Sequence, residues 1–286
     1  MYVASRMSPQ KTHLHVGDIE CIALQGGAFG YTPDLLFSNV PKAELEDELR
    51  AKNLAADEIL LPYTCLVIKS GGEHVLVDTG EASLGPVTGD LERSLKAAGL
   101  GREQISTVVL THAHPDHIGG VIDTDGRAAF PNARYVMSNM EWDFWNSDSP
   151  VGAVASQVGP LRRFARNKLL PIKDNVELVQ NETEVAPGVV VLCTPGHTPG
   201  HIAILISSGR QQLLHIADAV LHPLHLEYPS WRTIFDLEPE QAADTRRSLL
   251  DRAAADNSML LAYHFPFPGF GSVKRKGNAW KWESLA

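Results

Sequence analysis

The sequence is poor in cysteine, and the few cysteines that it has are far apart. Cys21, Cys65 and Cys193 are the only three in 286 residues, and none belongs to a CxxC pair. An odd number of widely spaced cysteines argues against a disulfide framework. Each lies among apolar residues, so we expect three buried thiols that take no part in chemistry.

The sequence also lacks long apolar runs and an excess of positive charge. No stretch approaches the roughly 20 apolar residues that a membrane span requires, and residues 1–15 contain no apolar core of a secretory signal. We therefore expect a cytoplasmic protein without a membrane partner. A formal net charge of −9 disfavours nucleic-acid binding, which needs a basic face. The basic stretches 161–168 and 273–282 are interpreted as a solvated helix face and a solvated tail.

The composition that remains is that of a globular protein with 44% hydrophobic and 21% charged residues. We predict one domain over 1–286, with an N-terminal extension of about 1–58, a core of about 60–265 and a C-terminal tail at 266–286. Strand-like and helix-like patterns are interspersed, which predicts two sheets between helix layers. A hairpin is predicted at 63–80, and strands are predicted at 105–110, 189–197, 201–209 and 258–264. Residues 18–29 are predicted to form a strand that runs into a Gly-rich turn. Helices are predicted at 41–54, 159–170 and 238–257, and irregular chain at 147–158 and 265–286.

The most informative stretch is "LTHAHPDHIGG" at 110–120, which directly follows a predicted strand. His112 and His114 are two residues apart, so both point to the same side of an extended segment. Asp116 and His117 come next, at the following turn. Imidazoles and a carboxylate at this density are the ligands that zinc, manganese, iron or cobalt prefer, and the arrangement suits two adjacent ions better than one.

Three further metal-ligand types stand at the ends of predicted apolar strands. His197 follows "VVVLCTPG", Asp218 follows "LLHIA" and His264 follows "MLLAY". Strand ends that converge on one edge of a sheet can build a single site from distant parts of a sequence. His201 and His215 are interpreted as structural histidines, whereas His222 is kept as a candidate that lines the site.

At these residues the sequence resembles the metallo-β-lactamase superfamily. "THAHPDHIGG" is similar to its H-x-H-x-D-H signature, "TPGHTPGH" to its second histidine motif, "IADAV" to its aspartate motif and "AYHF" to its last histidine. "VLVDTG" at 75–80 is similar to the strand that precedes the metal loop. The resemblance covers about residues 60–265 and implies an α/β fold, an αββα sandwich of two similar halves.

The resemblance also implies a role for each ligand. His112, His114 and His197 would hold one divalent ion, Asp116, His117 and His264 a second ion, and Asp218 would bridge the two. Asp78 would orient a ligand by hydrogen bonding. We expect zinc, with manganese, cobalt or iron as alternatives. Asp116 and Asp218 are the predicted catalytic carboxylates, with Asp116 as a possible acceptor for the proton of the attacking water.

The implied activity is hydrolysis of a small, neutral, hydrophobic ester, lactone or organophosphate triester by hydroxide from the two-metal site. The chain looks most like the branch that holds methyl-parathion-type hydrolases and quorum-quenching lactonases. Acyl-homoserine lactonases carry a tyrosine three residues after the bridging aspartate, where this chain has Leu221. This difference leaves the leaving-group proton donor unassigned and favours the organophosphate-hydrolase-like reading. The predicted pocket wall comprises Phe29, Leu36, Phe37, Trp142, Trp145, Leu221, His222, Phe267 and Phe270.

Other functions of the same fold stay open at this point. An acyl-homoserine lactonase is the first alternative, and an iron-dependent oxidoreductase is the second. A binding protein that has lost activity is disfavoured by the complete ligand set, and an exported β-lactamase by the missing signal. We also predict a homodimer, formed through the N-terminal segment and the aromatic loops.

Overall fold

The computed structural model describes residues 10–80, 91–148 and 155–285, and of 155–157 the backbone alone. The first sheet contains seven strands, which are β1 Lys11–Val16, β2 Ile19–Tyr31, β3 Ile59–Ser70, β4 Glu73–Val77, β5 Thr107–Val109, β6 Arg134–Ser138 and β7 Val176–Val179. The second sheet contains β8 Thr183–Ala186, β9 Val189–Cys193, β10 Ile202–Ser208, β11 Gln211–His215, β12 Met259–Leu261, β13 Phe270–Lys276 and β14 Ala279–Ser284.

Helices connect the strands. The α-helices are α1 Pro33–Leu36, α2 Lys42–Ala51, α3 Leu91–Ala97, α4 Pro115–Ile118, α5 Asn139–Asn146, α6 Ala155–Leu169, α7 Leu224–Glu227 and α8 Pro239–Asp256. Short 3-10 helices occur at Arg102–Gln104, Leu170–Asn175 and Ala217–Ala219. Within the described ranges, no helix combines the length and the apolar character that a membrane crossing needs.

Both sheets are mixed and follow the chain order of their strands. In the first sheet, each strand pairs with the next one along the chain. The pairs from β1 through β4 are antiparallel, and the pairs from β4 through β7 are parallel and are connected by helical crossovers. In the second sheet, β8 to β11 are antiparallel, β11 and β12 are parallel, and β12 to β14 are antiparallel. Each half of the chain therefore contributes one sheet, as the resemblance implied.

The side-chain alternation along β2 shows why the sheets are covered on both faces. Cys21 and Ala23 point into the apolar layer between the two sheets, whereas Ile22 and Leu24 point into the layer under the helices of the first half. A third apolar layer lies between the second sheet and α8, where Leu249 and Leu250 are buried. Strands that are buried on both faces require helices outside each sheet, which gives the predicted αββα order.

The two ends of the chain contain more regular structure than the sequence analysis expected. The Gly-rich stretch after Leu24 is not a turn, because β2 continues to Tyr31 with a bulge between Gln25 and Gly27. The segment after 265 is not irregular, because β13 and β14 form a hairpin at the edge of the second sheet. Trp280 packs into the core from this hairpin, while its lysines point outward. The many basic residues concealed this strand pattern.

Two smaller expectations were also wrong. Residues from 155 onward belong to α6, while 149–154 lie outside the described residues. Cys21 and Cys65 are buried as expected, but Cys193 is exposed. Cys193 is the last residue of β9, where the strand leaves the core and its side chain emerges at the surface.

Candidate metal centre

The histidine-rich loop leaves β5 and enters the short helix α4 at Pro115. His112, His114 and His117 are buried, and Asp116 is 9% exposed. Two backbone hydrogen bonds fix the loop, from Ile202 to the Thr111 carbonyl at 3.0 Å and from Thr79 to the His117 carbonyl at 2.8 Å. The loop is thus held from both sheets at once.

The three distant candidates reach the same point from the second half of the chain. His197 lies in the loop after β9, Asp218 in the 3-10 helix after β11, and His264 in the loop after β12. All three are at least 96% buried. The seven side chains therefore meet at one edge of the sandwich.

The first group of potential ligands consists of His112, His114, His197 and Asp218. The His114 Nδ1 lies 3.0 Å from the His112 Nε2 and 2.9 Å from the His197 Nε2. The Asp218 Oδ2 lies 3.3 Å from the His197 Nε2. Three imidazole nitrogens and one carboxylate oxygen therefore surround a common point, which is the donor set of a tetrahedral divalent ion.

The second group consists of Asp116, His117 and His264, and it shares Asp218 with the first. The Asp116 Oδ2 lies 3.4 Å from the His264 Nε2 and 3.7 Å from the His117 Nε2. The other oxygen of Asp218, Oδ1, lies 3.2 Å from the His117 Nε2 and 3.3 Å from the His264 Nε2. The Asp218 Oδ2 also lies 3.3 Å from the His264 Nε2, so the Asp218 carboxylate contacts both groups.

The polar atoms of this cluster fit two cations. Among the described residues, the His117 Nε2 and the Asp218 Oδ1 are buried without a hydrogen-bond partner. Burial lowers the pKa of His112 and of His114 well below the usual range, so their nitrogens offer lone pairs. Burial acts the same way on His117, but the Asp218, Asp78 and Asp116 carboxylates outweigh it and raise the pKa of His117. A positive charge is thus favoured at His117, and a divalent ion would supply it in place of a proton.

Hydrogen bonds on the far side of the rings determine which nitrogen faces the cluster. The His117 Nδ1 donates to the Asp78 Oδ2 at 2.7 Å, and the His264 Nδ1 donates to the Pro62 carbonyl at 3.0 Å. Asp78 also accepts from the Thr111 backbone and hydroxyl, both at 2.8 Å. It has a left-handed φ of 58°, a strained conformation for this residue type. Asp78 therefore occupies the orienting position that the resemblance implied.

In the first group, a second carboxylate, that of Asp236, orients the ring of His197. The Asp236 Oδ1 accepts from the His197 Nδ1 at 2.9 Å, and the Asp236 Oδ2 lies 3.6 Å from the buried Arg246 guanidinium. Arg246 in turn donates to the carbonyls of Ala219 and Trp231. Sequence analysis missed this pair, because neither residue lies near a recognisable motif.

Glu141 on α5 is a further residue that sequence analysis missed. It is fully buried and accepts four hydrogen bonds. The donors are the Ala113 backbone at 2.8 Å, the Trp145 Nε1 at 2.6 Å, the Thr198 hydroxyl at 2.7 Å and the Gly200 backbone at 3.0 Å. Trp145 lies on α5 itself, and the other three donors come from the loops that carry His114 and His197, so Glu141 joins the two loops of the first group.

His201 and His215 are buried, as expected for structural histidines. The His201 Nε2 accepts from the Asp218 backbone at 3.2 Å, and its Nδ1 faces the Thr194 hydroxyl at 2.8 Å. His201 thus helps to hold the shared carboxylate in place. Burial lowers the pKa of His201 to about 3, so it stays neutral.

A cavity of about 270 Å³ opens directly onto the metal-ligand cluster. The lining includes five of the seven candidate ligands together with two predicted wall residues, Phe29 and Leu221. The other lining residues are Tyr31, Leu61, Tyr63, Pro115, Leu161 and Phe235, which sequence analysis did not select.

The other predicted wall residues lie elsewhere. Leu36 and Phe37 are fully buried in the apolar cluster around α1 and α2. Trp145 is fully buried under Glu141, and Trp142 packs against the same helical layer. Phe267 and Phe270 pack between the sheets, and His222 lines a separate cleft beside the Pro223 turn. Large aromatic side chains in these segments fill the core, and sequence alone did not separate them from a pocket wall.

With this geometry established, comparison with known proteins decides the family. Residues 59–264 match the metallo-beta-lactamase superfamily. The chain belongs to this superfamily. An N-acyl homoserine lactonase of Bacillus cereus is 26% identical over 174 residues, which is 54% of this chain and 62% of that protein. A second one, from a Bacillus species, is 27% identical over 61% of this chain and 70% of its own length. The chain thus spans about two thirds of these curated relatives.

Solved structures match over nearly the whole chain. AidC, a dizinc quorum-quenching lactonase in complex with the product N-hexanoyl-L-homoserine, superposes with a TM-score of 0.92 at 26% identity and covers 98% of each chain. The hydrolase AbOPH of the beta-lactamase superfamily superposes with a TM-score of 0.90 at 26% identity and covers 99% of each chain. The αββα expectation is confirmed.

Proposed function

We propose that this protein is a metal-dependent hydrolase that opens small hydrophobic lactones. The observation that carries the proposal is the convergence of two ligand groups on Asp218 at the end of an apolar cavity. Likeness to the dizinc lactonase AidC and to Bacillus lactonases supports the substrate class. Organophosphate triesters, which Leu221 favoured in the sequence, form the second substrate group together with aryl esters.

The proposed occupants are two divalent ions, for which we propose zinc. His112, His114 and His197 would hold one, Asp116, His117 and His264 the other, and Asp218 would contact both. Such ions would bring the pKa of water near neutrality and polarise the carbonyl of a substrate. Nitrogen and oxygen donors without sulfur suit zinc, and they also suit manganese, cobalt or iron.

Asp116 would receive the proton that the attacking water loses. It lines the cavity, and its carboxylate is the only one of the second group besides the shared Asp218. The Tyr263 hydroxyl donates to its backbone carbonyl at 2.7 Å, which fixes the start of α4. A carboxylate held at the edge of the cavity can pass a proton from the attacking oxygen toward the leaving group.

The cavity wall explains the preference for neutral substrates. Phe29, Leu61, Leu161, Leu221 and Phe235 give it an apolar lining, and no lysine or arginine of the described residues takes part in it. An anionic substrate would therefore lose its hydration without gaining a cationic side chain. An acyl chain of a lactone, in contrast, gains from contact with this wall.

A substrate panel with and without chelator tests the proposal. Purified protein loaded with zinc is offered acyl-homoserine lactones, aryl esters, paraoxon-type triesters and a cephalosporin. We expect the highest kcat/KM on a lactone and loss of that activity after chelation. Higher kcat/KM on triesters would overturn the substrate order, and chelator-insensitive turnover would overturn the metal dependence.

The remaining sequence predictions are kept as proposals. We propose a homodimer in the cytoplasm, built from one domain over 1–286. Analytical ultracentrifugation at micromolar concentration would contradict the dimer if it found a monomer.

A further inference from the structure

The cavity needs a proton donor for the leaving group, and Leu221 cannot be that donor. Its side chain is apolar and lines the cavity next to Asp218. Among the described side chains that line the cavity, those with a donor or acceptor group are five candidate metal ligands and two tyrosines, Tyr31 and Tyr63. Outside the metal groups, the two phenols are thus the side-chain donors available to a bound substrate.

Tyr31 is the more accessible of the two phenols. It is the last residue of β2 and is partly buried, whereas Tyr63 is only 1% exposed. Its ring packs against Phe29 at a centroid distance of 4.9 Å and against Phe235 at 5.2 Å, both on the cavity wall. The ring is therefore held in one place, which limits the positions that its hydroxyl can take.

The hydrogen bond between the two tyrosines leaves the Tyr31 proton available to a substrate. A side-chain hydrogen bond with Tyr63 lowers the pKa of Tyr31, which is the effect of a donor that faces the Tyr31 oxygen. Tyr63 is itself fixed, because its ring packs edge-on against His264 at 5.6 Å. A hydroxyl that accepts one hydrogen bond becomes a better donor of the next.

The electrostatic surroundings keep Tyr31 protonated until a strong base appears. Burial raises the pKa of Tyr31 above its usual range, and the Asp116 and Asp218 carboxylates raise it further. Tyr31 lines the same cavity as these two carboxylates. A phenol with a raised pKa does not lose its proton to water. It can still protonate an alkoxide, because the phenolate that results is a weaker base than the alkoxide.

We propose that Tyr31 is the leaving-group donor of this enzyme, supported by Tyr63, in place of the residue that Leu221 does not provide. As water oxygen bonds to the carbonyl carbon, the bond from that carbon to the lactone ring oxygen breaks. The ring oxygen takes the Tyr31 proton, and Tyr31 regains the proton that the water lost. The sum is one lactone and one water giving a hydroxy acid, without any other reactant.

The inference rests on the proposed hydrolase function and makes a prediction about leaving groups. Alkoxides are strong bases and need the proton, whereas p-nitrophenolate is a weak base and leaves without it. Replacement of Tyr31 by phenylalanine should therefore harm hydrolysis of lactones and alkyl esters and spare that of a p-nitrophenyl ester with the same acyl chain. General-acid catalysis contributes roughly 10²-fold or more, so a loss of that order is expected in kcat.

The experiment compares wild type, Tyr31→Phe, Tyr63→Phe and the control Tyr228→Phe, all loaded with zinc. Tyr228 stacks on Trp231 and does not line the cavity. We expect Tyr31→Phe to lose roughly 10²-fold on lactones with nearly unchanged KM, p-nitrophenyl ester turnover, melting temperature and metal content. Tyr63→Phe should lose less, with the same leaving-group selectivity, and Tyr228→Phe should match wild type.

Three outcomes separate the inference from the function on which it rests. If wild type opens lactones and Tyr31→Phe does so equally well, the inference is wrong and the proposed function stands. If Tyr31→Phe loses activity equally on lactones and on the p-nitrophenyl ester, Tyr31 positions the substrate and is not the proton donor. If wild type opens no lactone and hydrolyses no ester, the proposed function itself fails.

Discussion

Removal of the Glu141 carboxylate should weaken the fold and, selectively, the first metal-ligand group. Glu141→Ala leaves four buried donors without their acceptor. Each costs about 1–3 kcal/mol when unsatisfied. Rotation of the Thr198 hydroxyl and entry of water would recover part of this cost, so we expect a net loss of about 3–5 kcal/mol.

The loss should be visible as a change in melting temperature and in metal content. In a protein of this size, each kcal/mol lost from the free energy of unfolding lowers the melting temperature by about 2–4 °C. Calorimetry should therefore record a melting temperature about 10 °C lower than that of wild type. Because Glu141 joins the loops of His114 and His197, the ion of the first group should bind about 10–100-fold more weakly. Metal analysis after dialysis should then find close to one ion for each chain instead of two.

Two matched variants show whether the carboxylate is responsible. Glu141→Gln keeps one acceptor oxygen and the shape of the side chain, so it should lose less than half as much stability. Glu44→Ala changes an exposed glutamate on α2 and should stay within about 0.5 kcal/mol of wild type. A Glu141→Ala protein with wild-type melting temperature and two bound ions would refute the reasoning.

Three further predictions concern metal and pH. Asp78→Asn removes the carboxylate that accepts from the His117 Nδ1, so competition with a chelating dye should show about 10–100-fold weaker binding of the second ion only. Equal weakening of both ions would contradict this. Chelation should lower the melting temperature of wild type, because ions present at 100 times their Kd add about 2.7 kcal/mol each, and an unchanged melting curve would count against bound metal. Burial lowers the pKa of His215 and of His222 from 6.5 to about 4. As the pH falls, these two imidazoles are therefore protonated in the unfolded chain before they are protonated in the folded protein, which favours unfolding. In urea titrations, the free energy of unfolding should therefore be highest above pH 6.5 and should decline toward pH 4. A free energy of unfolding that does not change over this pH range would argue against neutral buried histidines.

The candidate metal ligands could be proposed from sequence because their positions have a local signal. His112, His114, Asp116 and His117 share one short motif, and His197 and His264 each follow a clearly apolar strand. The fold followed from the same motifs, since each required a strand that ends at the site. Patterns of this kind are visible without knowledge of tertiary contacts.

Asp78 lies in a recognisable motif, but the other residues that hydrogen-bond to the candidate ligands could not be predicted in the same way. Glu141 and Asp236 act across long stretches of chain, and nothing in their neighbouring residues distinguishes them from surface carboxylates. Tyr31 escaped notice because β2 was expected to end in a turn before it. Trp145 was predicted to line the pocket, but it is fully buried in the core. In a sequence, an aromatic residue near a loop is compatible with either position. Only the packing of the whole chain separates these cases.

The central claim is that seven side chains hold two ions at the edge of the sandwich, and metal stoichiometry tests it most directly. Protein loaded with excess zinc and passed through a desalting column is measured by plasma mass spectrometry, beside His112→Ala and His264→Ala. The account predicts two ions for each wild-type chain and about one for each variant. A wild-type chain that retains one ion or none would contradict it.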